Sequence, residues 1–196
     1  MKNILNTLLV FIGLFINLNC NAQQQIYPLK TDYTEIPSNS YLKDLNNELD
    51  AYTGNWKASF EGKTIDLFIT KETHKHFKTK YEYYKDALSV RYIVSQPSGS
   101  LNLILQDTQN MYFQPYEITH TIYSRWVENG NELLLYYGGT NCGIGWGSIK
   151  LKKLSATQLA WEYRPNGTVT SSDTCPPGTD KTVYLPVTKE LIFTKQ

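Results

Sequence analysis

Ala51-Tyr52-Thr53-Gly54-Asn55-Trp56-Lys57 marks the point at which the apolar period of this chain changes. Before it, Tyr41, Leu42, Leu45 and Leu49 recur at helical spacing, and Ser38-Asn39-Ser40 offers side chains suited to capping a helix start. That pattern predicts one short helix over about residues 41–51. From Gly54 onward the period is two. Trp56, Ala58 and Phe60 share one face, Glu61-Gly62 turns the chain, and Ile65, Leu67 and Ile69 form the inner face of a second strand.

Working outward from that hairpin, residues 71–87 are more polar and carry Tyr81, Tyr83 and Tyr84, which reads as a ragged strand or loop. Val90, Tyr92 and Val94 resume the alternation, Pro97-Ser98-Gly99-Ser100 turns it, and Leu101, Leu103 and Leu105 continue the sheet. A strand follows from about Glu117 to Val127. Asn129-Gly130 before Leu133 to Tyr137 is the strongest hairpin signal in the chain. Gly138 to Gly147 is glycine-rich, but it lacks the Gly-Lys-Ser/Thr of a phosphate loop. It is followed by the strand-like run Ser148 to Leu154 rather than by a helix. Leu159, Trp161 and Tyr163 form a further strand. Residues 165–181 read as loop, and Thr182 to Thr194 as a last strand or two broken near Pro186.

Eight to ten strands at regular spacing, with no βαβ crossover, predict an all-β fold. The expected form is a closed or nearly closed antiparallel barrel with one short N-terminal helix, because closure removes exposed edges. A two-sheet sandwich is the alternative.

The chain begins with Lys2, an apolar run from Ile4 to Ile16, and Asn19-Cys20-Asn21-Ala22. A basic end, a hydrophobic stretch and small residues in this order read as a signal peptide over residues 1–22. Residues 23–37 are then an extended mature N-terminus and 38–196 a single domain. Lipidation at Cys20 is the minor alternative, and no later stretch has the length of a membrane-spanning helix. Export also agrees with cysteine usage: beyond Cys20, Cys142 and Cys175 form an even pair expected to be a disulfide in an oxidising compartment.

Of 19 Lys and Arg, Lys2 lies in the leader, which holds no acid, so 18 bases face 18 acids in the mature chain. Neutral charge of mixed sign gives no basis for a nucleic-acid or anionic-membrane partner. The 15 Tyr and four Trp suit half-buried pleated surfaces.

Gly54-Asn55-Trp56, at the head of the first strand, resembles the Gly-x-Trp signature of lipocalins and related calycin barrels. In that group the Trp packs across the barrel floor beneath a basic residue from the last strand, for which Lys189 and Lys195 are the candidates here. A longer set resembles a family of small exported Bacteroidetes proteins without assigned function. It comprises Ile36-Pro37-Ser38-Asn39-Ser40-Tyr41, Asn46-Asn47-Glu48-Leu49-Asp50 and Gly54-Asn55-Trp56. The resemblance covers residues 36–196. It implies a lipocalin-like barrel and no activity.

His74-Lys75-His76 has metal-ligand spacing, with His120 as a possible third ligand, but Lys71, Lys75, Lys78 and Lys80 would repel a cation. His120 reads instead as a core-facing side chain. No metal and no cofactor is implied. There is no Gly-x-Ser-x-Gly, and Ser40-x-x-Lys43 is explained by a helix cap. Asp66, Glu82, Glu117 and Glu162 keep a hydrolase open as the third choice. The leading expectation is a non-enzymatic binding protein for a small apolar or aromatic ligand, lined by Trp56, Tyr92 and Trp161. The alternative is a protein-interaction or inhibitor module built on the loops Gly138 to Trp146 and Pro165 to Thr179.

Overall fold

A computed structural model describes residues 23–78, 80–113 and 117–196. The expected leader and the lipidation alternative at Cys20 lie outside the described residues. The strands are β1 (Ile26–Pro28), β2 (Tyr41–Lys43), β3 (Gly54–Phe60), β4 (Lys63–Lys78), β5 (Glu82–Ser98) and β6 (Leu101–Asp107). They continue with β7 (Ile122–Glu128), β8 (Glu132–Tyr137), β9 (Gly147–Lys153), β10 (Gln158–Pro165) and β11 (Leu191–Lys195).

Eight of them form a closed antiparallel barrel in the order β5-β4-β3-β11-β10-β9-β8-β7, closed by the pair Ser89 and Tyr123 between β5 and β7. The other three are additions to β5: β6 pairs with its C-terminal part, and β2, with β1 beyond it, pairs in parallel with its N-terminal part. The hairpin signals hold. Asn129 and Gly130 have φ of 47° and 73°, and Glu61 and Gly62 of 48° and 74°. Both turns therefore twist in the sense that two-residue hairpins require.

Three expectations need correction. Residues 41–51 are not a helix. Tyr41–Lys43 is β2, held by Tyr41 N donating to Gln25 O at 2.8 Å and Tyr84 N donating to Ser40 O at 2.8 Å. A 3-10 turn over Glu48–Tyr52 follows. Asn47, at φ 54°, breaks the helical path, and the carboxylate of Asp44 accepts from Glu48 N and Leu49 N instead. Leu42 and Leu49 are buried, while Leu45 is 56 % exposed, so the apolar spacing arises from two unrelated elements. Residues 71–78 and 82–87 belong to β4 and β5, which pair throughout with one bulge between Glu72 and Lys75, so they are strand and not loop. Of the last strand or two expected over Thr182 to Thr194, there is one, and it is shorter: β11 begins only at Leu191, with 182–190 outside any strand.

The inward face of every barrel strand is filled. Phe193, Trp161, Tyr163, Tyr137 and Tyr92 form a chain of rings with centroids 5.6, 6.2, 5.8 and 6.4 Å apart, and all five are buried. At one end Trp56 is buried beneath the 3-10 turn and donates from Nε1 to Tyr52 O at 2.9 Å. Lys195 pairs with Trp56 across β11 and β3 and sets its ammonium 5.2 Å from the indole centroid. Gly54 permits this: at φ +124° a Cβ would lie 2.8 Å from Lys195 Cε. At the other end Leu185 and Pro186 are buried, and Pro186 O accepts from Trp161 Nε1 at 2.9 Å. Cys142 and Cys175 form the expected disulfide, with Cα atoms 5.5 Å apart, closing a loop of 33 residues. Chain entropy makes such a closure worth about 3 to 4 kcal/mol.

Replacing Trp56 with Ala removes the floor of this core and is expected to cost about 3 to 5 kcal/mol in a urea unfolding curve. Burial pushes the hydroxyl pKa of Tyr52 and Tyr92 up to about 12. The unfolded chain releases these protons first, near pH 10, so their contribution is complete below pH 10 and is lost as pH rises through 12. Phenolate absorbance followed from pH 9 to 13 should show the buried tyrosines ionising with unfolding, after the exposed ones.

Candidate functional site: an aromatic groove at the barrel seam

Strand β7 carries a bulge between Ser124 and Trp126, where Arg125 is the extra residue. A bulge bends its strand. Beyond the pair Ser89 and Tyr123, β7 leaves β5, and side chains satisfy the backbone groups that a ladder would have used. Ser124 Oγ accepts from Leu88 N at 2.7 Å. Lys85, buried on β5, donates from Nζ to Arg125 O at 2.5 Å and to Ser124 O at 3.3 Å. On the far side of the gap, β2 takes the vacated edge of β5 at Tyr84 and Lys85.

Between β7 on one side and β2 with the loop 29–34 on the other lies a groove of about 1020 Å³. Its aromatic wall is continuous. Tyr83 is stacked between Tyr33 at 5.1 Å and Phe77 at 5.5 Å, and Phe77 meets Tyr123 edge-on at 6.1 Å. Lys75 Nζ sits 4.5 Å over the Tyr123 ring, and the Arg125 guanidinium 4.7 Å over Trp126. Phe113 and Glu117 border the opening. Burial pushes the Tyr83 hydroxyl pKa up to about 12.

The wall formed by residues 24–44 is fixed by a buried carboxylate. Asp86 accepts from Tyr41 OH at 2.6 Å, His74 N at 3.0 Å and Asp44 N at 3.0 Å. Burial opposes its ionisation, but these donors and nearby Lys71 hold its pKa below the usual carboxylate value. Asp44 in turn binds Lys71 at 2.9 Å, and Lys71 also reaches Asp50 at 2.6 Å.

Burial, followed by repulsion from Arg125, lowers the Lys85 pKa to about 7. The neighbouring cation differs: despite burial, a 2.5 Å contact with Glu72 helps to raise the pKa of Lys75.

Trp56, Tyr92 and Trp161, expected to line a ligand, all lie in the packed interior and not in the groove. His74 and His76 do share a face, but both stack on Tyr84, at 4.2 and 4.8 Å. His74 Nε2 meets Gln24 and His76 Nε2 meets Glu82. His120 is buried elsewhere, with Nε2 3.0 Å from Asn141 Oδ1. No cluster of three or more metal-ligating side chains occurs among the described residues. Of the four candidate acids, Asp66 pairs with Lys57, Glu82 with His76 and Glu162 with Arg164, while Glu117 borders the groove. Trp146, in the disulfide-pinned loop, is 38 % exposed and donates to Gly167 O at 3.3 Å. No helix among the described residues is long and apolar enough to cross a membrane.

Sequence reasoning missed Tyr33, Phe77, Tyr83, Lys85 and Trp126 as a set. The one local signal was Lys85-Asp86 immediately before the alternating run of Leu88, Val90, Tyr92 and Val94, where both are buried.

Between pH 7 and the ordinary lysine range near 10.5 the unfolded chain holds a proton that folded Lys85 has released, so this group makes stability rise with pH across that window. Lys85→Met should flatten the slope between pH 7 and 9.5 in urea denaturation. An unchanged slope would mean that the buried amine stays charged.

Over residues 1–196 the chain matches a family described as a family of unknown function, DUF6705. No curated protein and no solved structure matches it.

Proposed function

The chain belongs to DUF6705, a family of unknown function, and from that premise we propose that it is an exported, non-enzymatic protein that binds a small apolar or aromatic molecule. The ligand occupies the seam groove, not the barrel interior. One observation carries this reading: the stacked rings of Tyr33, Tyr83 and Phe77, with Tyr123 and Trp126, border a groove of about 1020 Å³. Its size is near that of sites that enclose small molecules, roughly 300–1,000 Å³. Aromatic faces there supply stacking area, and Lys75 and Arg125 supply positive charge at its edge. Trp56, Tyr92 and Trp161 serve as the rigid interior that holds the walls in place. Export is supported by the leader pattern and by the disulfide. A lipocalin-like relationship is supported by Lys195 lying over Trp56. A second reading, protein contact through the disulfide-pinned loops, draws on the exposure of Trp146.

Titration with 1-anilinonaphthalene-8-sulfonate is expected to give saturable fluorescence enhancement. Tyr83→Ala and Trp126→Ala should each weaken binding about tenfold, equivalent to about 1.4 kcal/mol, with near-ultraviolet circular dichroism preserved. Tyr92→Phe, which alters only the interior, should leave it unchanged. The opposite pattern would place the ligand inside the barrel.

A further inference from the structure

We propose that Lys85 is a carbonyl-reactive amine, and that an aromatic aldehyde entering the seam groove condenses with its Nζ to form an imine. The inference rests on the groove being the ligand site and names the chemical class it would take.

A charged lysine has three N–H donors, and a neutral one has two with a lone pair at the fourth vertex. Lys85 Nζ has two backbone acceptors, Arg125 O at 2.5 Å and Ser124 O at 3.3 Å, and no carboxylate partner among the described residues. Two acceptors match the neutral amine. They account for both of its N–H groups, on a side chain that lines the groove. A neutral amine is the nucleophilic form.

Lys30, Lys75 and Lys78 also line the groove; Lys75 and Lys78 each face an acid, Glu72 at 2.5 Å and Glu82 at 3.8 Å, which favours the unreactive ammonium, and Lys30 is exposed to water rather than buried against the wall. Charged groups on every element around Lys85 bear on its protonation. Those lining the groove are Arg125 on β7, Lys75, His76 and Lys78 on β4, and Lys30, Asp32 and Glu117 outside these strands. Arg125 is the residue whose charge reaches Lys85, and it lowers the pKa.

In the step itself the Nζ lone pair attacks the carbonyl carbon as the C=O π pair moves to oxygen. One nitrogen proton passes to that oxygen to give a carbinolamine. Loss of the hydroxyl with the second nitrogen proton, as one water, leaves the C=N bond. No oxidant or reductant takes part, and hydrolysis reverses it.

The full chain, incubated at pH 7.5 with benzaldehyde or with acetaldehyde and fixed with cyanoborohydride, is digested and mapped by mass spectrometry. Benzaldehyde is expected to label Lys85 at least tenfold more than any other lysine. Labelling should reach half its maximum near pH 7, the preference should vanish in 8 M urea, and anilinonaphthalene sulfonate should protect the site. Lys152→Arg, exposed on β9 and outside the groove, should not change the pattern, and Lys85→Arg should abolish it. Because the decisive map is made on the unaltered chain, a folding defect in Lys85→Arg does not obscure it. Lys85 spared by both aldehydes while the fluorophore still binds overturns the imine and leaves the proposed function standing. Lys85 labelled by acetaldehyde but not by benzaldehyde overturns the aromatic occupant, and with it the groove as an aromatic site.

Discussion

Everything distinctive in this molecule depends on how the barrel closes. A ring of strands must satisfy its backbone donors and acceptors at every seam, because buried unpaired groups cost about as much as a lost hydrogen bond. Seven seams do this with ladders. Among the described residues the eighth, between β5 and β7, has one residue pair, Ser89 and Tyr123. The bulge at Arg125 turns the rest of β7 away, and Ser124 Oγ and Lys85 Nζ supply the missing hydrogen bonds. A lysine so placed fills two roles at once. It caps two carbonyls that would otherwise be unpaired, and it brings an amine into an aromatic wall. The same edge of β5 serves β2, β7 and β6 in succession. The groove is the gap that this succession leaves.

The filled interior follows from the strand count together with the choice of side chains. Eight strands enclose a space just wide enough for side chains to fill it or for one small ligand. Here five large rings occupy it in sequence, and both ends are covered, by Leu49 and Tyr52 at the Trp56 end and by Leu185 at the other. Buried tyrosines need partners for their hydroxyls. Tyr92 and Tyr137 meet at 3.2 Å and Tyr163 donates to Gly145 O, while the buried Tyr52 hydroxyl has no hydrogen-bond partner among the described residues. A core built in this way is stiff, which suits a scaffold that must hold an external wall.

The strands were legible because their faces are unequal. Trp56, Ala58, Ile65, Leu67 and Ile69 alternate with polar residues, Asn129-Gly130 dictates its own turn, and the cysteine pair had one possible connectivity. The helix expected at 41–51 misled because Leu42 and Leu49 are buried from different elements, one on the parallel strand β2 and one within the 3-10 turn, with left-handed Asn47 between them. Helical spacing over four residues cannot tell one amphipathic element from two short ones. The groove was hidden for another reason. Phe77 and Tyr83 pair across one hairpin, but Tyr33 and Tyr123 come from a loop and a strand about 40 residues to either side, and the register that brings them together includes the bulges near His74 and Arg125. Bulges follow from small differences in local pairing, and neither stretch carries a glycine that would announce one.

The groove's two walls are held by different physics, and this bears on how the site behaves. The β7 wall belongs to the barrel: Val127, Leu133 and Leu135 carry it on apolar packing. The opposite wall, residues 24–44, is attached by short parallel pairings and by a polar cluster in which Asp86 binds Tyr41, His74 and Asp44, and Asp44 binds Lys71. Buried charge networks contribute little net stability when intact, yet losing one member is costly, because the remaining charge is left unpaired. The outer wall therefore has a fixed register but a smaller apolar reserve than the barrel. Such segments open at lower free energy than the core they rest on. A ligand seated between Tyr33 and Trp126 bridges the two walls, so its binding energy would add most to the less secured one. The order imposed by occupancy would then appear in residues 24–44 while the barrel stays as it is.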